Sequence, residues 1–232
     1  MKTNLLLALS CLVGLSLSAA DPKDDIANAA KKLGKESYSW KTTTESGNFG
    51  SSAEGKTDKD GLVFLSMKFG DNTTEAYLQS GKGAVKSGDN GWESLSEVSA
   101  NAGDQPGARR FMARMFQNFK APAVQAAELA DKCKELKKDN AAYSGDLTED
   151  AAKDFISFGG RRTGNAPEPK NAKGSVKFWL KDGALTKYEL KLSGIVNMNG
   201  DDRDIERTTT VEIKDVGTTK VEVPEEAKKK LS

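Results

Sequence analysis

The sequence predicts an α+β fold in which one antiparallel sheet is interrupted by a helical segment. Two blocks, 36–94 and 174–223, alternate apolar, aromatic or threonine positions with polar ones, and turns rich in glycine, asparagine and aspartate divide each block. Between them, in 107–158, apolar residues recur at spacings of three and four instead. Helices that interrupt a strand series fit a single sheet wrapped over a helical insertion at about 105–158 better than two separate domains.

The chain opens with MKTNLLLALSCLVGLSLSAA: one lysine, an apolar run from Leu5 to Leu17, then small residues. This is the pattern of a secretory signal, with Ser18 and Ala20 at the positions signal peptidase reads. Residues 1–20 are therefore expected to be removed, leaving 21–232 as one mature domain that begins at Asp21. The apolar run is short for a membrane span. A lipoprotein signal would instead acylate Cys11, but ALSC is a poor box for that modification and cleavage there would leave LVGLSLSAA in water.

Asp21–Gly34 sets Ile26, Ala29, Ala30 and Leu33 on one helical face. SYSWKTTTES then puts Tyr38, Trp40, Thr42 and Thr44 on one side of a strand and Ser39, Lys41 and Thr43 on the other. TDKDG (57–61) is a turn by composition, and LVFLSMKF (62–69) is apolar on both sides, as a strand covered on both faces would be. GDN (70–72) leads into TTEAYLQS, and SGDNGW (87–92) carries the Asn-Gly pair of tight hairpins. Four or five strands are expected before residue 95.

GARRFMARMFQNFK (107–120) reads as an amphipathic helix, with Phe111, Met112, Met115, Phe116 and Phe119 on one stripe and Arg109, Arg110, Arg114 and Lys120 around its other side. Pro122 suits the first turn of a second helix, whose apolar face would carry Ala126, Leu129, Ala130, Cys133 and Leu136. Thr148 is placed to cap a third helix ending near Phe158. A long loop of glycine, proline and asparagine follows (159–174). SVKFWL, ALTKYELKLSGIV and RTTTVEIKDV then form a three-stranded meander, with room for a short edge strand in VEV before Pro224 and a helical turn in EEAKKKL.

Composition excludes several functions. Histidine is absent, which removes Ser-His and Cys-His nucleophilic pairs and imidazole zinc sites. Lysine plus arginine number 35 and aspartate plus glutamate 34, so loss of Lys2 with the signal leaves no net charge. Nucleic acid is therefore not expected as a partner, since phosphate backbones attract excess basic charge. The mature chain keeps only Cys133 and cannot form an internal disulfide. The acidic turns SGDNG (87–91) and NGDDRD (199–204) lack the ligand spacing and closing glutamate of a calcium loop. No metal site, cofactor or catalytic residue is expected.

GSVKFWLKDGALTKYELKLSG (174–194) and RTTTVEIKDVGTTKVEVPEEA (207–227), within a layout of two meanders around central helices, resemble the LolA-like superfamily of bacterial lipoprotein and lipid carriers. In the family's ending an aromatic strand turns at Asp-Gly, returns, and a last strand runs through a Val-rich segment to proline. The resemblance implies an incomplete, half-open β-barrel covered by a central helical lid, with an apolar ligand on the concave face. It also implies a lipid or lipoprotein acyl chain as partner, a membrane-bound partner that loads or receives it, and a monomer working in the periplasm or after secretion. The functional arginine that LolA-type carriers hold on the first long strand has no counterpart, because Lys41 stands there.

The candidate ligand contacts are Trp40, Phe64, Phe111, Met112, Met115, Phe116, Phe119 and Trp179. Methionine fits irregular shapes and phenylalanine supplies area without polar demand, although a helix packed on a sheet needs the same residues for its core. Arg161 and Arg162, after Gly159 and Gly160, are candidate contacts for an anionic head group, since guanidinium forks hold such groups in two hydrogen bonds. Two readings follow: an exported carrier or receptor that shelters an apolar ligand, or an envelope interaction module with a filled core.

Overall fold

The computed structural model describes residues 21–47, 49–69, 72–101, 107–140, 142–157, 168–198 and 200–231. Helix α1 (Pro22–Leu33) starts where Asp21 accepts a hydrogen bond from the Lys23 N–H, and it buries Ile26, Ala29, Ala30 and Leu33. Strands β1 (Tyr38–Ser46), β2 (Phe49–Thr57), β3 (Val63–Phe69), β4 (Asn72–Gln79), β5 (Lys82–Ser87) and the short β6 (Glu93–Ser94) follow as a meander. Next come α2 (Leu95–Ala100), α3 (Ala108–Gln117), α4 (Pro122–Asp131), β7 (Lys137–Asp139), β8 (Ala142–Asp146) and α5 (Glu149–Ile156). Strands β9 (Lys170–Lys181), β10 (Ala184–Met198) and β11 (Asp201–Lys214) form the second meander, and α6 (Glu225–Lys228) lies near the end.

All eleven strands among the described residues belong to one antiparallel sheet in the order β6-β5-β4-β3-β2-β1-β11-β10-β9-β8-β7. The two meanders are joined by β1 and β11, with Trp40 opposite Ile213 and Thr42 opposite Val211. The sheet does not close: β6 and β7 remain its two edges, and the result is an α+β incomplete barrel. Short edge strands limit pairing with other chains, and Lys137 and Lys138 do the same on β7.

One face of the sheet carries Tyr38, Trp40, Leu65, Ala76, Phe178, Tyr188 and Val211, all buried under the helices in the main core. Gly55 opposes Trp40 across the β1–β2 pair. A Cβ at Gly55 would lie 2.1 Å from the Trp40 ring, so only glycine leaves room for the indole there. The opposite face has a smaller cluster of Tyr77, Ala84 and Ala227, with Phe64, Trp92, Val221 and Val223 against it.

Several expectations differ from this fold. Six strands, counting the two-residue β6, precede residue 95 where four or five were expected, and β9 begins at Lys170, inside the segment read as a loop to residue 174. A β7–β8 hairpin lies inside the segment read as purely helical, and β8 pairs with β9. The second helix stops at Asp131, so Leu136 and Cys133 are buried beyond it instead of on it. The reason is pairing: the Lys134 N–H donates to Asp146 and the Thr148 N–H to Lys132, which draws the chain out of the helix. VEV forms no strand; it crosses the outer face, where the Tyr77 hydroxyl donates to the Glu222 carbonyl at 3.0 Å. Thr148 caps α5 as expected, accepting from the Ala151 N–H.

Candidate functional site

Helix α4 is fastened to the sheet by tyrosines. The Ala123 N–H, one of the orphan donors of its first turn, donates to the Tyr38 hydroxyl at 3.2 Å. The Tyr188 hydroxyl donates to Gln125 Oε1 at 2.6 Å. Burial pushes the Tyr38 hydroxyl up to about 12, with the Ala123 bond pulling the other way, and raises Tyr188 well above the ordinary phenol range. Both therefore stay neutral hydroxyls. At the other end of α4, Lys23 Nζ donates to the Asp131 and Cys133 carbonyls at 3.2 and 2.6 Å, a cation on the negative end of a helix. Helix α1 is held in turn by the Tyr143 hydroxyl, which donates to Asp25 at 2.8 Å.

Beneath α1 and α4 the inner face of the sheet carries deeply buried side chains. Trp40, Leu129, Phe178 and Tyr188 are each no more than 4% exposed. The Cys133 thiol is buried with them; burial pushes it up to about 11, against the opposing charge of Lys23.

Space opens at the mouth of the barrel, where the C-terminal end of α3 and the N-terminal end of α4 meet the β2–β3 and β4–β5 turns. A cleft of about 340 Å³ lies there. Its walls include Val63, Leu78, Leu95, Phe116, Phe119 and Val124. Each turn is fixed locally. Asp58 Oδ1 accepts from the Asp60 and Leu62 N–H groups at 3.0 and 2.9 Å, and Gly61 takes φ +81°. Ser80 and Gly81 both have positive φ, the pattern of a two-residue hairpin that matches strand twist. These turns bring Lys59 and Lys82 to the rim, and the link between α3 and α4 adds Lys120.

Two larger hollows, of about 630 and 500 Å³, carry charged groups such as Lys56, Asp215 and Glu222 in one and Lys134, Glu135 and Lys191 in the other.

The candidate residues divide. Phe116 is buried and Phe119 half-buried, and both wall the cleft. Trp40 lies beneath, with its ring stacked on Phe119 at 6.2 Å between centroids. Met112 and Met115 pack half-buried against the core, and the described walls of the cleft do not include them.

Phe111 is 48% exposed. It lies five residues before Phe116, about 140° around the helix, so the two cannot share one stripe. Phe64 faces away from the helices, opposite Tyr77 on β4. Trp179 also faces outward: Lys177 and Lys187 hold their Nζ atoms 5.2 and 4.9 Å from its ring centroid. In both strands the neighbouring residue, Leu65 or Phe178, takes the inner face, and alternation sends the aromatic ring out. Arg161 and Arg162 lie outside the described residues. Lys41 is exposed, next to the inward Trp40.

Sequence reasoning did not select Lys59, Lys82 or Lys120. Lysines in turns are ordinary, and these three become a rim only when two hairpins and a helical link meet.

No family model matches the chain, and no curated protein does. Among solved structures the chain is similar to a LolA superfamily protein from Nitrosomonas europaea, at 10% identity and a TM-score of 0.35, over 92% of this chain and 98% of that one. It is similar to a DUF1329 family protein from Desulfovibrio piger at 11% identity and a TM-score of 0.33, over 85% and 93% of the two chains. A chain of the MucA/MucB complex from Pseudomonas aeruginosa gives 14% identity and a TM-score of 0.25, over 84% and 94%. None of these likenesses carries a residue or an activity over to this chain.

Proposed function

We propose that the protein is an exported, non-catalytic carrier or receptor that shelters one apolar chain at the mouth of its half-barrel, in the periplasm or outside the cell. The observation that carries this reading is the cleft walled by Phe116, Phe119, Val63, Leu78 and Leu95 beside a core that buries Leu129, Phe178 and Tyr188. Its volume of about 340 Å³ is at the small end of ordinary ligand pockets, which run from about 300 to 1,000 Å³. A membrane offers an acyl chain nearly the same gain of about 0.8 kcal/mol per methylene, so a dry cleft and a loosely held cover suffice for exchange. Helix α3 is such a cover: Gly107 makes no side-chain cap for it, its first turn has no acid, and Arg109 and Arg110 sit at its positive end.

The test is binding of a fluorescent fatty acid by the mature protein and by Phe119→Ser. Phe119 is only half-buried, so the variant should stay folded yet bind at least about tenfold more weakly, equivalent to about 1.4 kcal/mol. Met112→Gln, away from the cleft walls, should lower stability more than it lowers binding.

The alternative, an envelope interaction module with no ligand, draws on the buried side chains packed beneath α1 and α4. A wild-type protein that binds no acyl probe and brings no lipid from its native envelope would establish the module and end the carrier reading.

A further inference from the structure

The rim of the cleft differs in charge from the chain as a whole. Lys59 comes from the β2–β3 turn, Lys82 from the start of β5 and Lys120 from the α3–α4 link, so three separate elements bring ammonium groups to one opening. Asp58 is the acid among the described lining residues. Its Oδ1 is already engaged by two backbone N–H groups of its own turn. Lys120 pairs with Glu128, whereas Lys59 and Lys82 make no ion pair among the described residues. The buried walls are apolar in Val63, Leu78, Leu95 and Phe116. The two buried hydroxyls among them are engaged within the protein, Thr57 donating to the Asp58 carbonyl and Tyr38 accepting from the Ala123 N–H. The polar end of a bound amphiphile is therefore best placed at this rim.

We infer that the cleft takes a single-chain anionic amphiphile, with its hydrocarbon against Phe116 and Phe119 and its carboxylate or phosphate between Lys59 and Lys82. This rests on the carrier reading and names the class of ligand for it. The size of the cleft admits one chain rather than several. Lysine presents a flexible point charge without the fixed fork of arginine, so the rim selects charge more than head-group geometry. Because these lysines are exposed, their attraction is modest and falls with salt.

The experiment compares a long-chain fatty acid, the fatty alcohol of equal length and the matching lysophosphatidic acid as competitors of a fluorescent fatty acid. Wild type and the Lys59→Gln/Lys82→Gln variant are each measured at low and high salt. At low salt, wild type should bind the carboxylate, the phosphate or both roughly tenfold tighter than the alcohol, as two exposed charges would give. Which acid is favoured identifies the head group. The affinities should converge at high salt and in the double variant, whose unfolding midpoint should match wild type.

An alcohol bound as tightly as both acids, or a preference that survives the double substitution, overturns the inference and leaves the carrier reading standing. Failure of all three ligands to bind overturns both.

Discussion

Helices α3 and α4 cover adjacent parts of one sheet and differ in what holds them down. Helix α4 presents Ala123, Ala126 and Ala130, small residues on a helix that packs closely against α1, and its ends are satisfied from outside by Tyr38 and Lys23. Helix α3 presents Phe116 and two half-buried methionines, has no side-chain cap, and is tied by surface contacts such as Gln117 to Ser99 and Arg109 to Glu93. Exposed pairs of that kind contribute little, roughly 0–1 kcal/mol each. The difference teaches that helices over one continuous sheet can be held by different means, α4 by buried and part-buried hydrogen bonds at its ends and α3 by the packing of Ala113 and Phe116 with surface contacts around them.

Three substitutions sharpen or break that comparison. The largest effect is expected for Leu129→Ala in α4, a fully buried side chain whose loss should lower stability by about 2–5 kcal/mol in chemical denaturation. Acyl-probe affinity should be unchanged, because Leu129 is not among the described walls of the cleft; a parallel loss of binding would mean that core and mouth form one cavity.

Tyr38→Phe removes the acceptor of the Ala123 N–H and should cost about 1–3 kcal/mol, with faster hydrogen exchange confined to the first turn of α4. Unchanged exchange there would show that the tyrosine is not what holds the helix.

The smallest effect is expected for Gly107→Asp, which adds a cap and a favourable charge to α3 and should stabilise it by about 0.3–1 kcal/mol. Its amides should exchange more slowly while those of α4 do not change. If α3 in the wild type already exchanges as slowly as α4, the two helices are held alike and the contrast fails.

The kinds of element, and most of their positions, were legible from local pattern. Alternation through Tyr38, Trp40 and Thr42 assigned the inner face of β1, and the spacing of Ile26, Ala29, Ala30 and Leu33 assigned that of α1. The β7–β8 hairpin was not legible, because KKDNAAYSGD holds one strong strand former, Tyr143, and its pairing depends on β9 some thirty residues away. The candidate site was half legible. A helical stripe is visible as a set of spacings, but five residues along a helix reverse much of its face, which is why Phe116 reached the cleft and Phe111 did not.

By itself the sequence determined an export signal as an expectation, an antiparallel α+β class, the amphipathic helices and the absence of histidine chemistry, since each depends on residue type or on a short period. Tertiary structure decided that β1 pairs with β11, that Phe64 and Trp179 face outward, and that Lys59, Lys82 and Lys120 meet at one opening. Those outcomes depend on register between distant strands, where a shift of one residue exchanges inner and outer faces. The physical reason is range. Periodicity acts over a few residues, whereas Lys59 and Lys120 become neighbours of one cleft only after the intervening strands have paired and the helices have settled on them.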